Sequence, residues 1–380
     1  MTTAVYIHIP YCHSKCSYCD FLSFAVDTCS VTPSIYLQAL EKELALRGEE
    51  LKRAGSQVAT LYIGGGTPTI LPQALLSQML ISCHRYLPLA EEVEWTVEAN
   101  PSTINLVTLK LLVQAGVNRI SLGVQDLCDE RLALLRRMHN AVQAEQAFLI
   151  CRNYFPVVSL DIMSALPGQT SAQLLETLAV VCDWKPQHLS LYGLQLEEGT
   201  ELAAQVAAGI IQLPAEDEVA EMFVQGRQYL QSRGYEHYEI ANFALKGYHC
   251  LHNLTYWQNR PYLGIGLGAH SYWQDERLAN TNCFHTYVQS LAAGQLPIAE
   301  RLLLSKQRQI EDTMMLGLRL RAGINFADFQ ERFGQDLRRL YAQQIHHLLA
   351  LGVIQCDEES IYLTESGLAV ANTVIAEFIN

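Results

Sequence analysis

Short apolar stretches alternate with helix-length amphipathic ones along the first half of the chain. This order restricts the fold more than any other feature. Residues 4–9, 58–63, 93–98, 117–124, 157–163 and 188–194 read as six strands. Most are apolar over long runs, as parallel strands covered on both faces are. Between them, 34–53, 72–87, 106–115, 129–151 and 171–183 carry helical periodicity, with Gly55 and Gly116 as stop signals. Strand–helix units in series predict parallel strands with helices outside. The expected fold is therefore α/β, a partial (β/α)6 TIM-like barrel over residues 1–200. The residues that stand out chemically lie at or just past the strand ends: a cysteine loop, Gly64-Gly65-Gly66-Thr67-Pro68, Glu98, Gln125 and Asp161. Barrels of this kind gather their sites at that face.

After residue 200 the pattern changes. An accessory region, 201–304, holds a helix over 216–234, a strand over 235–243 and a Gly-rich stretch over 262–270. Residues 305–380 read as helices, a short strand at 361–363 and a last helix, a small winged-helix-like domain. Gly264-Ile-Gly-Leu-Gly-Ala269 mimics a dinucleotide fingerprint, but Pro261 precedes it and no strand–helix unit with a later acidic residue follows.

Composition narrows the function classes. With 26 Lys and Arg against 39 Asp and Glu, the net charge is −13, which argues against binding a phosphate backbone. Arg338-Arg339 is too thin a basic patch to reverse that, so no nucleic-acid partner is expected. No apolar run approaches the roughly 18 residues of a membrane span, and the first residues lack a signal-peptide pattern. A cytoplasmic protein without a membrane anchor is expected. Eleven cysteines, an odd count in such a chain, point to reduced thiols or metal ligands rather than a disulfide framework.

Three of those cysteines, Cys12, Cys16 and Cys19, fall within eight residues. A structural zinc site takes four protein ligands, often as two pairs, and no second pair exists. Three thiolates can instead hold three irons of a [4Fe–4S] cluster and leave the fourth iron open to a non-protein ligand. The bland alternative is a structural cluster that never uses the open iron.

Cys12-x-x-x-Cys16-x-x-Cys19 resembles the cluster signature of the radical S-adenosylmethionine (SAM) superfamily. Tyr6-Ile-His-Ile-Pro-Tyr-Cys12, Gly64-Gly-Gly-Thr-Pro-Thr69, Val97-Glu-Ala-Asn-Pro101, Ser121-Leu-Gly-Val-Gln125, Leu160-Asp-Ile162 and Leu166-Pro-Gly-Gln-Thr170 resemble its coproporphyrinogen-dehydrogenase-like branch. The likeness spans nearly the whole chain, including a region similar to the HemN C-terminal domain. It implies a radical SAM barrel with a [4Fe–4S] cluster on Cys12, Cys16 and Cys19. It also implies SAM held by Tyr6, Gly65, Gly66, Thr67, Glu98, Gln125, Arg137 and Asp161. Carboxylates suit ribose hydroxyls and an ammonium, and a guanidinium suits a carboxylate. Each of these residues also has a surface or capping role open to it, and Arg136 competes with Arg137 for the inward position.

Within that branch the chain is similar to heme chaperones rather than to the dehydrogenases. Phe21 stands where a dehydrogenase has a further cysteine, and only eleven residues precede Cys12. His252-Asn253-Leu254-Thr255-Tyr256-Trp257 resembles the chaperones' HNxxYW heme motif. The resemblance implies heme bound by His252, Asn253, Tyr256 and Trp257, with His249 and Cys250 as competing iron ligands. Expected partners are a recipient haemoprotein, with a respiratory one among the candidates, and a reductant for the cluster. A homodimer is left open. Two rival classes remain: an enzyme that oxidatively decarboxylates coproporphyrinogen III, and a metal-stabilised binding module without radical chemistry.

Overall fold

The computed structural model describes residues 2–379. Six parallel strands lie side by side in chain order: Thr2–Ile9, Gln57–Gly65, Leu89–Ala99, Arg119–Gln125, Val157–Ser164 and His188–Gly193. Helices pack against them, and most of their side chains are buried. Ile7, Leu61, Val97, Ile120, Leu160 and Leu189 are wholly buried, one or more from each strand. Each such side chain contributes about 1.5–3 kcal/mol by leaving water.

The sheet continues past these six to twelve strands. On one side Tyr262–Ile265 joins the first strand in parallel, with Ala4 opposite Tyr262. His270–Trp273, Glu276–Asn280 and Ile298–Leu303 follow it, antiparallel. On the other side Asn242–Ala244 pairs antiparallel with His188–Gly193, and Glu236–His237 closes that edge. The two edges do not pair among the described residues, so the barrel is open. The accessory region therefore adds strands to both edges of the first sheet. Ile298–Leu303 carries no burial pattern because five of its six residues are exposed.

Two local expectations are corrected, and the Gly-rich stretch takes a definite form. The stretch 235–243 is not one strand: it breaks at Glu239, whose buried carboxylate accepts from the Ala241 N–H and the Asn242 side-chain amide. The Gly-rich stretch is a strand and a turn. A Cβ at Gly264 would lie 2.1 Å from the His270 carbonyl oxygen, so the two strands meet only over a glycine. The stretch 129–151 is two helices, Asp129–Leu134 and Ala141–Cys151. Asn140 caps the second through a reciprocal pair of hydrogen bonds with Gln143. Arg136, in the break, has a left-handed backbone at φ +55°.

The C-terminal part packs on its own core, which includes Met314, Phe329, Leu337, Ile361 and Phe378. Its helices flank a three-stranded sheet with Ser360–Leu363 between Ile324–Asn325 and Ile354–Cys356. Arg227, on the Glu216–Ser232 helix beside the barrel, reaches across to Glu365 at 2.6 Å.

Candidate cofactor site

The cysteine loop leaves the first strand at Pro10 and returns beside it. Tyr11–Cys12 pairs in parallel with Phe24–Ala25, and the Phe24 N–H donates to the Pro10 carbonyl at 2.9 Å. This closure holds Cys12, Cys16 and Cys19, all half-buried, in one turn-rich segment. The loop is pinned to the helix break: the Ser17 N–H donates to the Leu135 carbonyl, and its hydroxyl to the Leu134 carbonyl. Burial pushes the Cys19 thiol up to about 11 and raises that of Cys12. Iron binding would therefore displace protons from these thiols. Among the described residues no three His, Cys, Asp or Glu side chains stand close enough to share one ion. A cubane takes one thiolate per iron, so its three thiolates stand apart.

The glycine run is tied down rather than free. The Gly66 N–H donates to the Ile9 carbonyl at 2.8 Å and the Thr67 N–H to the Tyr11 carbonyl at 2.7 Å. The Gly65 N–H donates to Glu98 Oε2 at 3.0 Å. The run therefore spends its amides on the cluster loop and on Glu98, not on a ligand. Its glycines are needed for fit: Gly65 has φ +106°, and a Cβ at Gly66 would lie 2.4 Å from the Tyr11 carbonyl oxygen. Thr67 Oγ1 lies 3.7 Å from Cys12 Sγ.

A cavity of about 550 Å³ opens between this loop and the strand ends. Of the residues expected to hold SAM, all but Tyr6 line it. The Tyr6 hydroxyl instead hydrogen-bonds with His8 Nδ1 at 3.1 Å, and the other ring nitrogen of His8 meets the Leu22 carbonyl at 2.8 Å. Tyr6 therefore faces His8 rather than the cavity. Glu98 accepts from the Tyr62 hydroxyl at 2.9 Å, and burial together with the facing Asp161 pushes its pKa up to about 7. Burial also raises Asp161, against hydroxyls from Ser190 and Ser121. Gln125 has a left-handed backbone at φ +69° and accepts from the Tyr192 hydroxyl at 2.7 Å.

Arg137 follows the helix break inward. It donates to Cys16 Sγ at 3.5 Å and to the Gly123 carbonyl, while its Nε is buried without a protein partner. Arg136, also at the cavity's edge, is mostly exposed and pairs with Glu201 at 2.6 Å. Tyr62 and Tyr192, which sequence reasoning missed, orient Glu98 and Gln125. Their signal was their place near the ends of predicted strands.

The 252–257 segment packs against the barrel strands. It forms the helix Leu251–Trp257, and His252 is 1% exposed. Thr60 Oγ1 meets its Nδ1 at 2.8 Å and the Tyr256 hydroxyl meets its Nε2 at 2.8 Å. The Tyr256 ring packs edge-on against Tyr262, and Trp257 hydrogen-bonds to the buried Glu239. Of these four residues only Asn253 lines the cavity. In this conformation His252 offers no open ring edge, and the residues do not fit a heme ligated there. Cys250 is buried against Glu94, with its thiol pushed up to about 12 by burial. His249 is partly exposed and pairs with Glu236 at 3.0 Å.

Residues 6–181 match the radical SAM superfamily, and residues 304–370 match the HemN C-terminal domain. The chain is 35% identical over 378 residues to the heme chaperone HemW of Bacillus subtilis strain 168, covering 99% of both chains. The chain belongs to the HemW family of radical SAM proteins. Escherichia coli K12 HemW is 38% identical over 268 residues, which cover 70% of this chain and 69% of that one. A bovine mitochondrial radical SAM domain-containing protein 1 is 31% identical, over 99% of this chain and 87% of its own. The solved structure of Escherichia coli HemN, a coproporphyrinogen III oxidase and radical SAM enzyme, superposes with a TM-score of 0.84. It covers 99% of this chain and 89% of its own at 24% identity, a likeness of fold.

Membership in the HemW family implies a [4Fe–4S] cluster and SAM, and the residues present fit both. The donor set is three thiols on one loop. Beside it are two buried carboxylates and a guanidinium with an unpartnered N–H, the groups that a zwitterionic sulfonium nucleoside requires.

Proposed function

We propose that the chain is a heme chaperone, which carries heme and hands it to a haemoprotein. It would hold one [4Fe–4S] cluster on Cys12, Cys16 and Cys19 and SAM in the adjoining cavity. End-to-end similarity to the Bacillus HemW, with almost no part of either chain left over, carries this reading. When bound, the cluster and SAM supply one-electron chemistry that side chains lack. The chain's own residues bind and orient. Glu98 takes the ligand ammonium, Asp161 the ribose hydroxyls and Arg137 the carboxylate. Gly65, Gly66 and Thr67 set the wall against the cluster loop, and Gln125 is aimed by Tyr192. The partners this requires are an electron donor and a recipient haemoprotein. Among the described residues no helix is long and apolar enough to cross a membrane.

The test is anaerobic reconstitution of the cluster followed by separate heme and SAM titrations, then transfer of bound heme to an apo-haemoprotein. Saturable binding of both ligands with transfer is expected. Robust conversion of coproporphyrinogen III to protoporphyrinogen IX by the reduced protein would replace the chaperone reading with the dehydrogenase one. Failure to cleave SAM, with heme unbound, would leave only a metal-stabilised module.

A further inference from the structure

The Gly264-Ile-Gly-Leu-Gly-Ala269 run does not line the cavity. It lies instead against the cluster loop. The run leaves the strand Tyr262–Ile265 on one flank of the first strand, and Gly64-Gly65-Gly66 ends the second strand on the other flank. Both runs close on His8, just before the loop. A Cβ at Gly65 would lie 2.4 Å from the His8 ring, and one at Gly266, where φ is +111°, would lie 2.7 Å from the His8 carbonyl oxygen. A Cβ at Gly268 would lie 2.4 Å from the side chain of Leu22, just past Cys19. The run therefore touches the chain at both ends of the cluster loop.

Glu43 holds the run in place. It belongs to the helix Pro33–Arg53 and is wholly buried. Its carboxylate accepts from the Gly266 N–H at 2.9 Å, the Asn280 side-chain amide at 2.7 Å and the Tyr287 hydroxyl at 2.6 Å. The Asn280 amide also donates to the Gly266 carbonyl at 2.9 Å. Tyr36, on the same helix, donates its hydroxyl to the His8 carbonyl at 2.7 Å and accepts from the Leu267 N–H at 3.1 Å. Arg47, also buried, supplies the opposite charge. A buried ion pair is a costly way to fill a core that apolar side chains could fill. Here the carboxylate fastens one glycine from three elements: its own helix, the strand Glu276–Asn280 and the helix Phe284–Ala292.

We propose that Glu43 is a positioning residue of the cofactor site: by clamping Gly266 it fixes His8 and Leu22, and with them the cluster loop and the glycine run beside SAM. This rests on the cluster and SAM reading above. His8 pairs with Gly64 and Ile9 with Gly65, and the Gly66 N–H donates to the Ile9 carbonyl. A shift at the end of the first strand would therefore move the cysteines and Gly65-Gly66-Thr67 together.

The experiment compares full-length wild type, Glu43→Gln, Tyr36→Phe and Phe329→Ala after anaerobic cluster reconstitution. Each is measured for iron and labile sulfide, SAM affinity by equilibrium dialysis, denaturation midpoint, and the change SAM causes in the EPR spectrum of the frozen, reduced cluster. In Glu43→Gln the amide, either way round, turns its NH2 toward the N–H of Gly266 or of Asn280, which can only donate. SAM should bind about tenfold more weakly, the ordinary cost of losing a partner just outside a metal site, and the EPR change should differ from that of wild type. Tyr36→Phe keeps its ring stacked on Tyr287 and loses the bond to His8, so it should weaken SAM about threefold or more. Adding Asn280→Asp to Glu43→Gln lets carboxylate and amide trade places and should restore part of the affinity. Phe329→Ala, in the separate C-terminal core, should lower the midpoint and leave SAM affinity and the EPR change at wild-type values. Wild-type affinity and EPR change in both Glu43→Gln and Tyr36→Phe would overturn the proposal, as would an equal loss in Phe329→Ala. Wild-type protein that takes up no cluster would overturn the cluster reading and the positioning role with it. If Glu43→Gln does not fold, Tyr36→Phe decides.

Discussion

Lowering the pH should weaken SAM binding through Glu98, and the structure sets the size of the effect. The carboxyl is buried beside Asp161, which pushes its pKa up to about 7 in the ligand-free cavity. Only the ionised form pairs with a ligand ammonium. Near pH 8 about nine-tenths of the molecules carry that form, and near pH 6 about one-tenth. Apparent affinity follows the competent fraction, so it should fall about tenfold between those points and level off above about pH 8. The same shift makes the ligand-free protein lose stability as pH rises from about 4.5 to about 7, because the native state holds this proton longer than the unfolded chain. Glu98→Gln removes this titration and leaves those of Asp161 and the ligand. It should flatten the profile and cost about tenfold or more near pH 8, the worth of a charge-assisted hydrogen bond. The assay is equilibrium dialysis of SAM at fixed ionic strength, with cluster absorbance recorded at each pH. A wild-type profile that tracks Glu98→Gln across the range would refute Glu98 as the ammonium partner.

Other substitutions probe the loop, the guanidinium and the C-terminal core. Gly66→Ala puts a methyl 2.4 Å from the Tyr11 carbonyl oxygen and 2.9 Å from that of Ile9. It should cost about 1–3 kcal/mol and lower the iron bound per chain, read by thermal denaturation and iron analysis. Cys12→Ser, Cys16→Ser and Cys19→Ser should each lose most cluster iron and labile sulfide, whereas Cys356→Ser in the C-terminal part should keep both. Arg137→Lys, which loses the planar fork, should weaken SAM about tenfold in the same dialysis, and Arg136→Ala, at the exposed edge, should weaken it far less. Phe329→Ala empties a site that is 2% exposed and should cost about 3–5 kcal/mol, seen as a lower denaturation midpoint.

The six parallel strands were legible because burial on both faces writes apolar runs into the sequence, and the limits read at 157–163 and 188–194 differ from the observed ones by a single residue. The edge strands were not, since Glu276–Asn280 and Ile298–Leu303 carry charges on a solvated rim and so lack a period. The three cysteines were legible for a different reason: a cluster read from one loop needs only local spacing. Arg137 illustrates what spacing alone misses. Its inward position depends on a helix that stops after Leu134 and restarts at Ala141. The Asn140-x-x-Gln143 pair that enforces the restart is a capping signal present in the sequence but hidden inside an otherwise helical pattern.

The 252–257 motif shows the opposite failure, where residue types were right for a chemistry but silent about access. A histidine followed by Tyr256 and Trp257 suits a porphyrin, yet the same three residues suit a buried polar plug. What separates the two is whether hydroxyls from other strands meet the ring. Thr60 lies 192 positions away in the chain, so no local pattern could supply that partner. Held by Glu94, Thr60 and Tyr62, the helix turns only Asn253 of the motif to the cavity, and the long-range partners rather than the residue types decide that.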